Sequence, residues 1–589
     1  MQKQTGSMNL ESKFFQRSLR VAERFLQTAV VIDDRAFREE MVLEPPPEAL
    51  VSPPTPSSAP LSDAVLFEPS LPAAEPSPVT IQIEDPDPHG LDAEAVIKSF
   101  AELGIICSVL RRVPDENPAD PGHSARLLLA PADILIIDWQ IHRADGSNTP
   151  EETLKFLETA VTVSATESPE QLRVILIYTG ALDLLSVVEQ AEARLKAVNG
   201  LNVQKDGDFA FRIGSAKVVV LGKPSRYRPP QSREQQVGSD ADLAGWATRE
   251  FTTMTTGLVS NVILQGLSEV RRATHRILSR FGPNLDAPFL AHRALIHPPE
   301  EANEHLLPLL SSEIQAILEA ALLTAEPSDE AIEEWLAERI QERVDARGDR
   351  IEEVGLSVFH LLYLAQFGVE RCMREGLANE LSLLGEWNAA GKHAKLDEGV
   401  VDRLADLFQG REIPGAQARF AELMAVRPRY GDAPPMLTLG TVLERQETKQ
   451  QEGKKPVIKS TYWLCLQPVC DCVRLSESRS FPLMPLGKKQ SGWFSLCLFV
   501  DGTLIRLRID PRPHEIQMVP FAPSTVSKTV VATRAQDQWW FGNVAANPKW
   551  RWLGELKFEH AQRAVQAFAN QNSRIGLTES EWQRRRASH

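Results

Sequence analysis

The stretch LRVILIYTG, residues 172–180, decides the fold of this chain. It is an aliphatic run without polar alternation, and it ends abruptly in a hydroxyl residue and a glycine. Runs of this kind are typical of strands that a parallel sheet buries on both faces. Three more runs share this character: 28–32 (TAVVI), 133–137 (DILII) and 216–221 (AKVVVL).

Helical stretches separate these runs. They cover residues 92–103, 150–161 and 184–198, and a weaker strand candidate, 105–110 (IICSVL), follows the first of them. Strands that alternate with helices indicate right-handed crossovers between parallel neighbours. The sequence therefore predicts an α/β domain with a doubly wound parallel sheet of the flavodoxin-like kind.

Length and composition define the broad class of protein. A chain of 589 residues is too long for one hydrophobic core, and 43% hydrophobic with 24% charged residues is close to the globular average. The net charge of -15 opposes attraction of the whole surface to nucleic acid or anionic lipid. Six cysteines do not suggest a disulfide scaffold, and neither a signal-peptide core nor an apolar run of about 18 residues is present. We expect a soluble, cytoplasmic, multidomain protein.

Changes in composition predict the domain boundaries of the first half. Residues 1–27 are predicted to form an N-terminal helix, and 28–230 the α/β domain. Within that domain, residues 44–88 are rich in proline and predict a disordered insertion. A second insertion is predicted around residues 201–214, because the interval between the last two aliphatic runs is long.

The second half changes character twice. Residues 238–430 have helical periodicity and predict an all-α domain. Residues 435–589 predict a β-rich domain with C-terminal helices, one of them from 559 to about 572 and a last one opened by Thr578. In this region Asp501-Gly502 separates two strand-like runs, which predicts a hairpin turn.

Polar residues end each aliphatic run of the α/β domain, at the edge where an open parallel sheet binds its ligands. The residues concerned are Asp33-Asp34, Asp138, Thr179-Gly180 and, after Gly222, Lys223-Pro224. Three carboxylates in one cleft repel one another unless a cation lies between them, and hard oxygen ligands favour Mg²⁺. Transfer of a phosphoryl group to a carboxylate also needs an ammonium and a hydroxyl at the phosphoryl oxygens. The sequence therefore predicts a site for Mg²⁺ and a phosphoryl group.

This order of residues resembles the receiver domain of bacterial response regulators, the phosphoacceptor domain of two-component systems and phosphorelays. In that family an acidic pair follows the first strand, the phosphoacceptor aspartate the third, a serine or threonine the fourth and Lys-Pro the fifth. The resemblance implies that Asp33 and Asp34 hold Mg²⁺, one of them through water. It implies that Asp138 is both a metal ligand and the nucleophile, and that the backbone carbonyl of Gln140 completes the protein ligands.

The resemblance also assigns Thr179 as the switch hydroxyl and Lys223 as the phosphoryl contact. Two features depart from the family pattern. The intervals 34–138 and 179–223 are longer than in ordinary receivers, which the two insertions explain. The last aliphatic run offers only valines, 218–220, where many receivers carry a switching tyrosine or phenylalanine, and this puts switching by aromatic rotation in doubt.

Three functions from different classes are compatible with these features. The leading hypothesis is a response-regulator-like signalling protein that accepts a phosphoryl group on Asp138 with Mg²⁺ and relays the signal to a protein partner through its C-terminal domains. More loosely, the whole chain resembles large bacterial response receiver domain proteins, often encoded beside ATPases of the histidine-kinase and Hsp90 type, and such an ATPase is the implied partner. The second hypothesis is a scaffold or adaptor whose receiver fold is never phosphorylated, in an anti-phage defence assembly.

The third hypothesis is a nucleic-acid-binding output, because aromatic and basic residues interleave in QWWFGN (538–543) and NPKWRWLGELK (547–557). A core or partner interface is the alternative for these tryptophans. Four cysteines, Cys465, Cys470, Cys472 and Cys497, lack the paired spacing of a zinc site, so strand core is favoured for them. His275 lies on a predicted helix, where a surface position is favoured over phosphotransfer. No enzyme motif is evident beyond the receiver chemistry.

Overall fold

The structure is a computed structural model, and it describes residues 12–36, 90–110, 128–129, 131–141, 150–167, 171–198, 200–225, 236–297, 299–322, 328–347, 358–374, 408, 415–449, 457–490, 494–543, 547–572 and 585–586. The predicted proline-rich insertion, 44–88, lies outside these residues, as does the predicted start of the last helix near Thr578. The chain divides into two compact units, Met1–Glu342 and Arg343–His589. None of the helices in the described ranges is long and apolar enough to cross a membrane.

A seven-stranded sheet forms the centre of the first unit, with the strand order β2-β1-β3-β4-β7-β6-β5. All strand pairs from β2 to β7 in this order are parallel, and the pairs of β6 with β7 and β5 are antiparallel. The predicted doubly wound sheet is thus present. Its strands are β1 (Thr28–Ile32), β2 (Ile106–Leu110), β3 (Ile134–Asp138), β4 (Arg173–Thr179), β5 (Val203–Lys205), β6 (Ala210–Ile213) and β7 (Ala216–Gly222).

Helices cover both faces of this sheet because its central strands are apolar on both sides. Alternate residues of β4 enter separate cores: Val174, Leu176 and Tyr178 one of them, Ile175 and Ile177 the other. On the first face lie α1 (Lys13–Phe25), α2 (Ala93–Glu102) and α5 (Leu243–Thr255); on the second lie α3 (Glu151–Glu167) and α4 (Leu184–Lys196).

The second predicted insertion is an antiparallel hairpin that extends the sheet. Strands β5 and β6 pair with each other, and β6 pairs with β7 through Phe211 opposite Val218. Phe211 is fully buried in the same core as α4. The long interval between β4 and β7 therefore contains one helix and this hairpin, and β7 is an interior strand of the sheet.

Further helices complete the first unit. They are α6 (Leu258–Arg280), α7 (Asp286–Leu295), α8 (Leu306–Leu322) and α9 (Asp329–Arg347), the last of which reaches into the second unit by sequence. Helix α6 is fixed at the amino-terminal edge of the sheet by Arg271, whose two terminal nitrogens lie 3.2 and 3.0 Å from the carboxylate oxygens of Asp133. The same carboxylate accepts the backbone N–H of Thr28 at 3.2 Å, so α6 is tied to the starts of two strands.

A nine-stranded antiparallel sheet dominates the second unit, with the order β11-β12-β10-β9-β8-β16-β15-β14 and β13 paired with β10. The strands are β8 (Thr441–Lys449), β9 (Val457–Cys465), β10 (Arg479–Lys489), β11 (Leu496–Val500), β12 (Thr503–Ile509), β13 (Gln517–Phe521), β14 (Thr533–Ala535), β15 (Gln538–Phe541) and β16 (Lys549–Glu555). The helices of this unit within the described ranges are α10 (Val358–Arg374), α11 (Ala416–Ala425) and α12 (Phe558–Asn572). Ala561 and Ala564 of α12 pack into a core on one face of the sheet.

The predicted hairpin at Asp501-Gly502 joins β11 to β12. Both residues have positive φ, 50° and 74°, as a tight two-residue turn with the twist of the flanking strands requires. Arg551 of β16 donates two hydrogen bonds, of 2.8 and 2.7 Å, to the carboxylate of Asp501. This bidentate pair fixes the turn against a strand that lies far away in the sequence.

Candidate functional site

Four polar side chains lie at the carboxyl edge of the seven-stranded sheet, where the aliphatic runs end. Asp33 follows β1, Asp138 is the last residue of β3 and Thr179 is the last residue of β4. Lys223 follows β7, and its backbone N–H donates to the carbonyl oxygen of Thr179 at 2.6 Å. Because β1 pairs with β3, β3 with β4 and β4 with β7, the parallel register places these four ends side by side.

The ammonium of Lys223 bridges two carboxylates in this edge. Its Nζ lies 2.9 Å from Oδ1 of Asp138 and 3.2 Å from Oδ2 of Asp33. All three residues are buried, with exposed fractions of 3% for Lys223, 8% for Asp138 and 2% for Asp33. Buried charges are tolerated where they are paired and hydrogen-bonded, and the lysine supplies the positive charge that lets the two carboxylates lie together.

Burial and neighbouring charges shift the pKa values of Asp33 and Lys223 in opposite directions. Burial raises the pKa of Asp33 from 3.8 to about 6, although the Lys223 ammonium acts to lower it. Burial acts to lower the pKa of Lys223, but the charges of Asp138 and Asp33 prevail and raise that pKa above its usual value. Lys223 is therefore a permanent cation at neutral pH, and Asp33 has a proton affinity that any additional cation in the cleft would lower.

Backbone N–H groups orient both carboxylates. Oδ2 of Asp138 accepts from the N–H of Gln140 at 2.8 Å, and Oδ1 of Asp33 accepts from the N–H of Arg35 at 2.7 Å. The backbone carbonyl of Asp138 accepts a hydrogen bond of 2.8 Å from the hydroxyl of Thr153 on α3. The loop after β3 is thus fixed to the helix that follows it, and Asp138 has one defined side-chain orientation.

The remaining predicted residues lie at the same edge. Asp34 is adjacent to Asp33 and half-buried, and Gln140 follows Asp138 by two residues. The hydroxyl of Thr179 is buried and accepts the N–H of Ala181 at 3.0 Å. The structure thus brings Asp33 and Asp138 into direct contact with Lys223, with Thr179 on the neighbouring strand end.

A divalent cation fits the donor set at this edge. Two buried carboxylates share one positive partner, a third carboxylate follows in sequence, and oxygen donors of this kind favour Mg²⁺ over softer metals. Among the residues that the structure describes, no three His, Cys, Asp or Glu side chains are already grouped as metal ligands. The predicted ligand set of Asp33, Asp34, Asp138 and the Gln140 carbonyl therefore stays a prediction.

Tyr178 is a residue at this site that sequence reasoning missed. It precedes Thr179 on β4, its hydroxyl lies 2.7 Å from Oδ1 of Asp240 and 3.0 Å from the carbonyl oxygen of Gly238, and its ring lies 5.2 Å from the Lys223 ammonium. Burial, followed by the charge of Asp240, raises the pKa of this phenol. The signal in the sequence is a single aromatic residue inside an aliphatic run. Its consequence is a polar link from the site to the segment that leads into α5.

The other candidates from the sequence lie elsewhere. His275 is exposed on α6. Cys465, Cys472 and Cys497 are buried in the second unit, where burial raises the pKa of the Cys465 thiol to about 12, whereas Cys470 is exposed. Cys465 and Cys472 pack among the apolar side chains of a core on one face of the sheet, as the strand-core interpretation expects.

Comparison with known proteins identifies the first unit's sheet domain. Residues 25–228 match the family model described as "Response receiver domain". No curated protein and no solved structure has significant similarity to the chain. The match begins just before β1 and ends just after Lys223, so it contains every residue of the carboxyl-edge site. Residues 25–228 are therefore a receiver domain of the response-regulator type, a domain of two-component signalling.

Proposed function

We propose that the receiver domain accepts a phosphoryl group on Asp138 and that the chain is a response-regulator-like signalling protein. The observation that carries this proposal is the buried contact of 2.9 Å between the Lys223 ammonium and Oδ1 of Asp138. An ammonium at that position neutralises charge on an incoming phosphoryl oxygen, which is the main requirement of phosphoryl transfer to a carboxylate.

Asp138 is oriented for the attack. Its Oδ2 accepts the N–H of Gln140, and its backbone carbonyl accepts the hydroxyl of Thr153. The carboxylate therefore has little conformational freedom when a phosphodonor approaches it. One carboxylate oxygen forms a bond to phosphorus while the bond from phosphorus to the donor's leaving atom breaks, and the leaving group keeps that electron pair. The Lys223 ammonium stays in contact with the oxygens of the transferred phosphoryl group. The Thr179 hydroxyl, on the adjacent strand end, donates a hydrogen bond to one of these oxygens.

Receiver domains generally bind Mg²⁺ at the phosphorylation site, and the residues at this edge fit that ion. Asp33, Asp34, Asp138 and the Gln140 carbonyl would hold it, and it would supply charge neutralisation for the transferred group. The raised pKa of Asp33 means that this carboxyl is partly protonated near pH 6, so protons compete with the metal there. Metal affinity should therefore fall as the pH falls through 6.

A relay to a protein partner is part of the same proposal. Tyr178 is adjacent to Thr179, and its hydroxyl donates a hydrogen bond to Asp240. Asp240 lies immediately before α5, whose residues pack on the sheet. A change in the position of Thr179 can therefore be transmitted through Tyr178 and Asp240 to α5. The partner implied by the resemblance, an ATPase of the histidine-kinase and Hsp90 type, would act as the phosphodonor.

The beryllofluoride complex tests this proposal, because that ion mimics a phosphoryl group on an aspartate. Trp139 is buried directly beside Asp138, and comparison with Trp139→Phe isolates its contribution from that of the chain's other tryptophans. Addition of beryllofluoride with Mg²⁺ to the full chain should change that fluorescence in the wild type and in Asp183→Asn, but not in Asp138→Asn. Asp183 is an exposed aspartate at the same sheet edge that caps α4, and asparagine caps equally well.

The scaffold alternative makes the opposite prediction. If the wild type and Asp138→Asn respond identically to beryllofluoride, with Mg²⁺ present and absent, the receiver fold serves for docking and does not accept phosphate. A response lost equally in Asp183→Asn would show that the fluorescence reports on the sheet edge as a whole, and the assignment of Asp138 would fail.

A further inference from the structure

The hydroxyl of Thr153 contacts two consecutive carbonyl groups at the end of β3 and in the loop that follows it. Its Oγ1 lies 2.8 Å from the carbonyl oxygen of Asp138 and 3.0 Å from that of Trp139. Thr153 lies in the first turn of α3 and is fully buried. A hydroxyl has one proton to donate, so the two carbonyls share it in a bifurcated hydrogen bond. One side chain of α3 therefore holds two consecutive peptide groups.

The peptide group between Trp139 and Gln140 is held at both of its ends. Its carbonyl accepts from the hydroxyl of Thr153, and its N–H donates to Oδ2 of Asp138 at 2.8 Å. A peptide group is planar, so a rotation that turns this carbonyl away from Thr153 also turns the N–H away from Asp138. The Thr153 hydroxyl thus determines the direction of the Gln140 N–H.

The direction of this N–H decides how the Asp138 carboxylate is oriented. With Oδ2 on the Gln140 N–H, Oδ1 lies 2.9 Å from the Lys223 ammonium. Without that N–H, the carboxylate would be freer to rotate about its Cβ–Cγ bond, because this torsion has broad energy minima. The contact of Asp138 with Lys223 therefore depends on a hydroxyl whose two hydrogen bonds go to the backbone.

Another threonine of α3 uses its hydroxyl differently. Oγ1 of Thr159 lies 2.8 Å from the carbonyl oxygen of Lys155, one turn earlier in the same helix. Such bonds within a helix are common for threonine and fix nothing outside the helix. The Thr153 hydroxyl, in contrast, bonds to carbonyls that lie 15 and 14 residues earlier in the chain. It therefore stabilises the loop and not its own helix.

From these contacts we infer that Thr153 is a positioning residue for the transfer of a phosphoryl group to Asp138. It acts through the peptide group of Trp139 and Gln140, which holds the carboxylate so that Oδ1 faces Lys223. A reacting group that is held in place needs no further ordering when the phosphodonor arrives, and this lowers the barrier. The inference rests on the proposed phosphorylation of Asp138, and it adds a residue that lies on a helix and not at a strand end.

The rate of acyl-phosphate formation tests this role. The full chain is incubated with Mg²⁺ and a range of acetyl phosphate concentrations, and intact mass gives the rate for each variant. Thr153→Val removes the hydroxyl and keeps the branched shape, so the maximal rate should fall by about 10- to 100-fold, with the half-saturating concentration unchanged. Thr153→Ser keeps the hydroxyl and should recover most of the rate. Thr159→Val is the matched control and should be labelled at the wild-type rate.

Amide hydrogen exchange of Gln140 tests the contact itself, without phosphorylation. Exchange of this N–H, measured relative to the amides of β4, should be about tenfold faster in Thr153→Val than in the wild type. It should be unchanged in Thr153→Ser and in Thr159→Val. The comparison with β4 corrects for any change in the stability of the whole domain. Thr153→Ala also lacks the hydroxyl and should behave as Thr153→Val does, so the test does not depend on the folding of one variant.

The outcomes separate this inference from the proposed function. Absence of acyl phosphate in the wild type would overturn both. Labelling of the wild type and Thr153→Val at equal rates would overturn this inference alone, as would an equal loss of rate in Thr159→Val or no recovery in Thr153→Ser. Equal exchange of the Gln140 N–H in the wild type and in Thr153→Val would show that the hydroxyl does not hold the peptide group, and the inference would fail whatever the labelling.

Discussion

Replacement of Asp33 by asparagine should stabilise the receiver domain at neutral pH but not at pH 4. Burial raises the pKa of Asp33 from 3.8 to about 6 in the folded chain. Between these values the unfolded chain loses its proton first, so the stability of the wild type falls as the pH rises from 4 to 6 and then levels off. Each pKa unit corresponds to about 1.4 kcal/mol, so the loss is about 3 kcal/mol.

Asparagine carries no proton to lose, so Asp33→Asn lacks this pH dependence. The free energy of unfolding of the variant minus that of the wild type should therefore rise by about 3 kcal/mol from pH 4 to pH 7. Hydrogen exchange of the amides of β1 and β3 measures this difference in unfolding free energy for the receiver domain within the full chain. The rates are corrected for intrinsic exchange at each pH. Asp183→Asn is the matched control, because Asp183 is exposed and forms no part of the Lys223 contact.

A flat difference for Asp33→Asn across this range would refute the reasoning, because it would mean that Asp33 ionises equally well in the folded and unfolded chains. A difference that falls with pH would refute it more strongly. In that case the Lys223 ammonium would outweigh burial, and the Asp33 pKa would lie below its usual value.

Three further predictions concern residues around the site. Lys223→Met leaves two buried carboxylates facing each other, so it should cost about 3–5 kcal/mol of unfolding free energy above pH 6, with partial recovery in millimolar Mg²⁺, as measured by urea denaturation. Tyr178→Phe removes the hydroxyl that lies between Asp240 and Gly238, so it should cost about 1–2 kcal/mol and speed hydrogen exchange at the start of α5. Thr179→Ala should still form the beryllofluoride complex but show a smaller change in exchange of α5, because the hydroxyl only contacts the phosphoryl oxygen and makes no covalent bond.

The strands and their ends were predictable from the sequence because burial on both faces requires aliphatic residues. The runs 28–32, 133–137, 172–178 and 216–221 correspond to β1, β3, β4 and β7 with shifts of one residue or none. Parallel register then brings the residues after each run to one edge, which is why Asp33, Asp138, Thr179 and Lys223 were found without knowledge of the structure.

Features that depend on distant pairing were not predictable in this way. Strands β5 and β6 are only three and four residues long and contain polar side chains, so their pairing is determined by β7 and not by local pattern. Helical periodicity identifies the apolar face of α5 but not its partner, which is the sheet. Tyr178 and Asp240 are 62 residues apart, and nothing in the local sequence of either residue indicates their contact.

The strand order of the second unit was not predictable for the same reason, because it also depends on distant pairing. β16 pairs with β8 across more than a hundred residues, and β13 pairs with β10 outside the main order. Alternation of apolar and polar residues predicts strands and one local hairpin, but register between distant strands depends on the packing of their side chains. The opposition of Arg445 to Trp550 and of Lys489 to Arg506 therefore exists only in the folded sheet.

Formation of an acyl phosphate on Asp138 is the most direct test of the central claim. The full chain is incubated with Mg²⁺ and acetyl phosphate, and its intact mass is measured in the wild type, in Asp138→Asn and in Asp183→Asn. The wild type and Asp183→Asn should gain the mass of one phosphoryl group, about 80 Da, which is lost on treatment with hydroxylamine, and Asp138→Asn should gain none. Absence of the adduct in the wild type, even with an ATPase of the histidine-kinase type and ATP, or its persistence in Asp138→Asn, would contradict the account.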